Sequence, residues 1–261
     1  MYTPSSPEER EFLAGYNPNK YKKPSVAVDT ALYGYDPKEK KLKALLIRRG
    51  GFPYRGCWAF PGGFLNMEEH IHAAAARELQ EETGISDVYA DLYYVMGAPD
   101  RDPRDRVITP QYLSLVNLAA VSPRAGDDAA EAGWFALNGF AKKAARGERS
   151  VREEYEICLE GPERLELRVA QESRYERTVR RRMEILESGG MAFDHAEVAL
   201  RSLLHLRQEL RYGDIAYNVF PEGASLAELQ GLYEAAFLSP GDVEGNPLLQ
   251  KQKDGRLSYF L

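Results

Sequence analysis

The sequence predicts an α/β sandwich around a mixed sheet, followed by a smaller C-terminal module. Apolar and polar residues alternate over 25–35, as in a half-buried strand, and 42–47 is expected to be a second strand, so the two form a hairpin. Between residues 67 and 83 the apolar residues recur every three or four positions, which predicts a helix that Gly84 ends. Because further strand patterns follow this helix, the element order is that of an α/β sandwich.

Shorter patterns assign the elements after Gly84. Strands are expected at 88–96, 109–118, 132–137, 155–159 and 164–170, and a short helix at 138–146. The last two strands form a hairpin around Glu160-Gly161-Pro162.

Changes in composition divide the chain into three parts. Residues 1–23 are polar and rich in Tyr, Pro and Lys, and we interpret them as an arm laid over the domain or as a partly disordered segment. The first domain is assigned to residues 24–188, with its core at 24–145. The second domain is assigned to residues 189–261, because Ser188-Gly189-Gly190 is a plausible break.

Two helices are predicted in the second domain, and each has a residue suited to cap its N-terminus. The first spans 195–210 and is preceded by Asp194, which we interpret as its N-cap rather than as part of a metal site with His195. The second spans 226–237, where Ser225 and a glutamate three residues on have the spacing of a capping box.

The bulk composition excludes several classes of protein. The 261 residues are 44% hydrophobic and 28% charged, which is typical of a soluble globular chain. The net charge of −6 argues against a general polyanion binder. Cys57 and Cys158 have neither metal-ligand nor redox spacing and are expected to be reduced thiols. No apolar run is long enough to span a membrane, so we expect a cytoplasmic protein.

Three carboxylates are concentrated near the end of the predicted central helix. Glu78, Glu81 and Glu82 are three or four residues apart and therefore project toward one side of the helix. Like charges at this spacing repel each other, so they need compensation. Either solvent and the neighbouring Arg77 supply it, or a bound hard cation such as Mg²⁺ does.

Residues 63–85 favour the cation. They read G-x5-E-x7-R-E-L-x-E-E-x-G-I, beginning at Gly63 and ending at Ile85. This stretch resembles the signature box of the Nudix hydrolase family, with every fixed position filled. The preceding Trp58–Gly63 and the segment 127–135 also resemble that family, so the resemblance covers residues 24–145.

The resemblance implies a set of site residues. Glu78 and Glu82 would be the principal ligands of Mg²⁺, for which Mn²⁺ could substitute, with Glu81 as a third ligand or the holder of a metal-bound water. Gly63 (or Gly62) would add a backbone carbonyl. Glu69 would lie outside the metal's ligand set, and Arg77 would orient the glutamates. The general base would be Glu81 or an acid of the later loop, where the acids are Asp127, Asp128 and Glu131.

The segment 100–106 bears on the substrate. It contains Arg101 and Arg104, and arginine pairs bidentately with phosphate. A polar loop with internal Asp–Arg pairs is the alternative, but the segment resembles the Nudix subgroup that handles ADP-ribose. Arg48, and after it Arg49, could also contact phosphates. Candidates for stacking on adenine, which could equally be packing residues, are Phe52, Tyr54 and Tyr21.

Near its beginning the second domain contains Phe193-Asp194-His195-Ala196-Glu197, followed by two helices and a terminal strand. This segment and this order resemble the winged-helix module of Nudix-related transcriptional regulators, which sense ADP-ribose and bind DNA. Two observations disfavour DNA binding here. Residues 189–261 contain six Lys or Arg against ten Asp or Glu, a net charge of −4. Gly245 and Pro247 would also break a recognition helix. Before this domain, the arginine-rich segment 174–182 could form a basic stripe, although its interleaved glutamates favour a solvated, paired face.

The sequence thus predicts a Mg²⁺-dependent pyrophosphatase acting on a nucleoside diphosphate derivative, with ADP-ribose cleaved to AMP and ribose 5-phosphate. The main alternative is an ADP-ribose-responsive DNA-binding regulator, and a further one is an inactive Nudix fold that serves as an interaction module. The resemblance also implies a homodimer.

Overall fold

The computed structural model describes residues 2–121, 129–239, 246, 249–251 and 257–259. Two candidate bases, Asp127 and Asp128, lie outside the described residues, as do Gly245 and Pro247. In this part of the chain the strands are β1 Ser25–Asp36, β2 Lys41–Arg49, β3 Trp58–Ala59, β4 Gly62–Phe64, β5 Asp91–Met96, β6 Val107–Asn117, β7 Ala129–Arg146, β8 Ser150–Glu160, β9 Arg164–Tyr175, β10 Val179–Glu187, β11 Leu249–Lys251 and β12 Leu257–Tyr259. The α-helices are α1 Pro7–Gly15, α2 Ile71–Thr83, α3 His195–Tyr212 and α4 Leu226–Phe237.

Ten of the described strands form one sheet. The sheet is mixed, as predicted. Eight of them follow the order β10-β9-β8-β7-β2-β1-β6-β5, with β3 beside β2 and β4 beside β1. Only the central pair β1–β6 is parallel among the described pairs of this sheet. Both central strands are almost continuously buried, because helices cover the two faces of the sheet.

Alternate residues of β1 define the two sides of the sandwich. Val28 clusters with Ala74 and Ala75 of α2 on one face. Tyr33 belongs to the larger cluster on the other face, which includes buried residues of α3 and α4. The Tyr33 hydroxyl also lies 2.7 Å from the Ser202 hydroxyl of α3. The period of two along the strand therefore places α2 on one side of the sheet and α3 and α4 on the other.

The prediction of a helix at 138–146 is wrong. These residues continue the 18-residue strand β7, which pairs with β8 from Ala136 to Arg146. The alanines and lysines here favour a helix by intrinsic propensity, but pairing with β8 and packing of Phe140 against the core outweigh that preference. The segment thus extends the sheet.

The strands β8, β9 and β10 form the far end of this extended sheet, and the arginine-rich segment lies there. Arg174 forms an ion pair with Glu172, as expected for a paired face. Within the described residues, Arg177 and Arg180–Arg182 make no ion pair. The paired-face interpretation therefore holds for Arg174 and not for the arginines of the following turn and strand.

The N-terminal and C-terminal parts confirm some of the predictions and differ from others. Residues 7–15 form helix α1, which buries no side chain, within the segment interpreted as an arm. The capping box of Ser225 and Glu228 is present at α4. Asp194 occupies the N-cap position of α3 but makes no capping bond. No helix in the described part of the chain has both the length and the apolar character that a membrane crossing requires.

The division at residues 188 and 189 stays a prediction. The described residues on its two sides are connected by a backbone bond from Trp58 N–H to the Gly190 carbonyl (3.1 Å) and by a bridge between Trp58 and Met191. One hydrophobic cluster also extends from the sheet to α3 and α4. The C-terminal helices are therefore packed directly on the sheet that carries the site.

Candidate active site

A short glycine strand brings the central helix close to the sheet. Gly62 and Gly63 of β4 lie opposite Asp29 and Val28 of β1. A Cβ atom on Gly62 would overlap the backbone of β1, and a Cβ atom on Gly63 would overlap the carboxylate of Glu78. The two glycines therefore allow β1, β4 and α2 to approach each other at the site.

Arg77 holds three glutamates in place. Its Nη2 and Nε donate to Glu69 at 2.6 and 3.0 Å, and its Nη1 donates to Glu78 at 2.8 Å and to Glu81 at 2.9 Å. Nη2 also donates to the Phe64 carbonyl of β4 at 3.1 Å. The hydrogen bonds from Arg77 lower the pKa of Glu69 to about 2. This places Arg77 where the resemblance expects an orienting residue.

Glu78 is paired with Arg77, whereas Glu82 has no ion pair with any described residue. Burial raises the pKa of Glu82 to about 8; the Gly62 N–H, which donates to its Oε2 at 2.8 Å, opposes this shift, and the nearby charges of Glu78 and Asp29 add to it. Burial also raises the pKa of Glu78, against the effect of Arg77. Two acids that are costly to ionise side by side indicate a site suited to a cation.

The donor chemistry of this pair fits a hard divalent cation, because carboxylate and carbonyl oxygens are the ligands that Mg²⁺ takes. Glu78, Glu82 and Gly63 line the same cavity. Among the described residues, however, no three His, Cys, Asp or Glu side chains are arranged so that they could hold a metal ion. Glu81 lies outside the cavity lining and is bound to Arg77, so it would have to move to become a third ligand.

The cavity has a volume of about 320 Å³, and arginines line it together with the acids. Arg49 and Arg104 both lie over the ring of Phe193, with guanidinium carbons 4.9 and 5.7 Å from its centroid. Arg104 is paired with Asp102 at 2.7 Å, whereas Arg49 has no ion pair with any described residue. Burial and the nearby charge of Arg104 lower the pKa of Arg49. Arg49 and Arg104 are thus neighbouring cations, and of the two it is Arg104 that is paired with an acid. This arrangement favours an anionic ligand.

Arg101 has a different environment. Its Nη2 and Nε donate to the two carboxylate oxygens of Asp194 at 2.7 and 2.8 Å, and its Nη1 donates to the Thr109 hydroxyl. Burial disfavours the charge of Arg101, but the ion pair outweighs this and raises its pKa. Arg101 lines the cavity with its guanidinium already committed to these partners.

Comparison with known proteins identifies the family. Residues 25–155, which are half of the 261-residue chain, match the NUDIX domain family. The chain belongs to the Nudix family. Over 133 residues it is 39% identical to an ADP-ribose pyrophosphatase of Methanocaldococcus jannaschii, covering 51% of this chain and 74% of that protein. The family match and this identity make the chain a Nudix hydrolase, as predicted.

Other relatives span more of the chain. It is 28% identical over 228 residues to the ADPR responsive transcriptional repressor NtrR of Acinetobacter baylyi, covering 87% of this chain and 72% of the relative.

Two solved structures share the fold. A MutT/nudix family protein from Enterococcus faecalis has a TM-score of 0.71 at 23% identity and covers 97% of this chain and 93% of its own. Shewanella oneidensis NrtR has a TM-score of 0.54 at 21% identity, covering 91% and 94%. The Nudix fold and a C-terminal region of the NrtR-like type are thereby shown.

Several predicted residues lie away from the cavity of this Nudix domain. Arg48 is paired with Glu163 at 2.7 Å, lies 3.8 Å from Glu131 and stacks over Trp58 on the outer side. None of these four residues lines the cavity. Of the proposed stacking residues, Phe52 and Tyr21 are largely exposed, whereas Tyr54 packs against Phe193 at 4.6 Å between ring centroids.

Sequence reasoning missed three residues of the cavity wall. Asp29 belongs to the first strand, and Phe193 and His195 belong to the C-terminal region. Arg49 was considered only after Arg48. Nothing local in the segment 193–197 indicates that it faces the Nudix box. Asp29 is far along the chain from Phe193 and His195, so only the fold brings them together.

Proposed function

We propose that this Nudix hydrolase is a divalent-cation-dependent pyrophosphatase that cleaves ADP-ribose, or a close nucleoside diphosphate relative, to AMP and ribose 5-phosphate. The observation that carries the proposal is that the acids Glu78 and Glu82 and the cations Arg49 and Arg104 line one cavity. A diphosphate needs both, since its charge must be neutralised while it is attacked. The 39% identity to an ADP-ribose pyrophosphatase supports the choice of substrate.

Glu78 and Glu82, with the Gly63 carbonyl, would hold Mg²⁺ or Mn²⁺, and Glu81 would join them after leaving Arg77. The bound cation would neutralise phosphoryl charge and make a water nucleophilic. Arg77 would position the glutamates through the bonds described above. Glu81 remains a candidate general base together with Asp127, Asp128 and Glu131, of which Glu131 lies on β7 outside the cavity lining.

The arginines that line the cavity would bind the phosphates. Arg49 is the better placed of the two sequential arginines, because it lines the cavity without a paired acid. Arg104 would contribute a second cation while Asp102 fixes its orientation. Arg101 would act less directly, because Asp194 and Thr109 already occupy its donors. The phosphates would therefore lie between Arg49 and Arg104 on one side and the glutamates on the other.

The proposal is tested by incubating the purified chain with a panel of nucleoside diphosphate derivatives, with and without Mg²⁺, and separating the products by chromatography. ADP-ribose should be among the best substrates and should give AMP. Turnover restricted to nucleoside triphosphates would overturn the proposal.

A regulator that senses ADP-ribose is the second candidate. It is favoured by the similarity to NtrR over 87% of the chain and by the contribution of Phe193 and His195 to the cavity, since an occupied cavity would directly contact the start of α3. The acidic balance of residues 189–261 disfavours it, and so we place it second. Winged-helix character and a homodimer remain predictions.

A further inference from the structure

The C-terminal region supplies a buried imidazole to the cavity. His195 is the first residue of α3, is 4% exposed and lines the cavity beside Asp29. Its Nδ1 accepts a hydrogen bond from the Phe60 N–H at 3.0 Å. Because a backbone N–H only donates, Nδ1 carries no proton and the neutral ring carries its proton on Nε2. Burial lowers the pKa of His195, which agrees with a neutral ring.

The Nε2–H of His195 lacks a hydrogen-bond partner among the described residues. Its nearest acid oxygen is Asp29 Oδ2 at 3.8 Å, which is beyond hydrogen-bond distance. That oxygen accepts a bond from Gln111 Nε2 at 2.7 Å, and a buried amide thereby fixes the position of the carboxylate. Because His195 lines the cavity, this donor is open to a ligand or water atom, which is expected to accept from Nε2.

The pair formed by His195 and Asp29 determines which kind of ligand atom can bind beside it. A hydroxyl oxygen can accept from the imidazole and donate its proton to the carboxylate, and with 3.8 Å between Nε2 and Oδ2 one oxygen beside them can lie within hydrogen-bond distance of both. A phosphoryl oxygen only accepts, and the charge of Asp29 would repel it. The phosphates therefore belong near Arg49 and Arg104, and a sugar hydroxyl belongs at His195.

We propose that His195 Nε2 and Asp29 Oδ2 together bind one sugar hydroxyl of the nucleoside diphosphate ligand, which makes His195 a specificity residue provided by the C-terminal region. This inference rests on the proposed function for the class of ligand. It adds a contact outside the Nudix box, in which Asp29 belongs to the matched residues 25–155 and His195 lies beyond them. No step of the cleavage depends on it.

Two substitutions separate binding from a structural role. The amide of His195→Asn reaches the position of Nδ1 and can still accept from the Phe60 N–H, but it leaves no donor at Nε2. The amide of His195→Gln reaches the position of Nε2 and loses the acceptor for Phe60. Titration calorimetry with ADP-ribose in the absence of metal should show affinity reduced roughly tenfold or more for His195→Asn, the size expected of one buried hydrogen bond, and reduced less for His195→Gln. The reverse order would assign His195 a structural role and overturn the inference.

The ligand can be changed as well. Affinities of the wild type and of His195→Asn are measured for ADP-ribose and for its five singly deoxygenated ribose analogues, two on the adenosine ribose and three on the terminal ribose, which forms a double-mutant cycle. For one analogue, removing the hydroxyl should cost the wild type roughly tenfold and His195→Asn almost nothing. Additive losses for all five would mean that water or another group occupies the position. If the wild type cleaves ADP-ribose but no coupling is found, only this inference fails. If it binds ADP-ribose with coupling but does not cleave it, only the proposed function fails. If it does not bind ADP-ribose, both fail.

Discussion

Arg101 and Asp194 form a bidentate ion pair that fastens the loop after β5 to the beginning of α3, with both N–O distances below 3 Å. Their side chains are only 6% and 13% exposed. The aspartate was expected to cap α3, and instead its carboxylate holds an arginine of the cavity wall. The substrate loop and the C-terminal region are therefore connected through one buried contact.

Removing one partner of this pair should destabilise the protein strongly. Asp194→Ala leaves the Arg101 guanidinium buried without its carboxylate, so we expect the free energy of unfolding to fall by about 3 kcal/mol or more. No capping bond is lost at the same time. Chemical denaturation measures the change. Glu166→Ala, which breaks the exposed pair with Arg164, is the control and should cost far less. Equal losses in the two variants would contradict a special role of the buried pair.

The adjacent arginines of β2 should differ sharply in their effect on catalysis. Arg49→Gln removes an unpaired cation from the cavity, and we expect the KM for ADP-ribose to rise by roughly 10- to 100-fold, the equivalent of about 1.5–3 kcal/mol for a charged hydrogen bond. Arg48→Gln is the matched control, because Arg48 is paired with Glu163 on the outer side. Its KM should change less than threefold or so. A larger effect of Arg48→Gln would place the phosphates elsewhere.

The sequence was sufficient for the central helix and its acids, because the spacing of Glu78, Glu81 and Glu82 fixes which side of α2 they occupy. It was insufficient for the choice between Arg48 and Arg49. Neighbouring residues of a strand point to opposite faces. In addition, the pairing of β2 with β7 changes register between Arg48 and Arg49. Local patterns also could not show that His195 would meet Asp29, since tertiary packing alone brings them together.

The segment 138–146 shows the same limit in the fold itself. Its alanines and lysines predict a helix, and only the long pairing with β8 makes it a strand. Strand pairing of this kind depends on residues that come later in the chain. The prediction failed where tertiary contacts outweighed local preference.

The two glycines of β4 should have separate effects. Gly62→Ala places a methyl group against the backbone of β1, which cannot give way locally, so we expect a lower melting temperature. Gly63→Ala meets the end of the Glu78 side chain, which can rotate away. Its melting temperature should stay closer to that of the wild type, while turnover falls because a proposed metal ligand is displaced. Calorimetry and a turnover assay on both variants check this, and the opposite assignment of effects would contradict the proposed packing.

Sequence-specific binding to duplex DNA is not expected at physiological salt. A specific site requires several phosphate contacts, and residues 189–261 carry more acids than bases. Fluorescence anisotropy against the DNA upstream of the protein's own gene, with and without ADP-ribose, measures this. Nanomolar binding that ADP-ribose releases would make the regulator the better account. If DNA bound only at low salt, replacing Arg180–Arg182 with glutamine would show whether the arginines at the end of the sheet are responsible.

The central claim is that the buried Glu82 of the Nudix box supports metal-dependent cleavage of ADP-ribose. The most direct measurement is the rate of AMP formation from ADP-ribose by the wild type and by Glu82→Gln over a range of Mg²⁺ concentrations. Glutamine preserves the volume and can still accept from the Gly62 N–H, so the fold should survive. The account predicts Mg²⁺-dependent AMP formation by the wild type and a loss on the order of 100-fold or more in the variant. Near-normal turnover by a folded Glu82→Gln would contradict it.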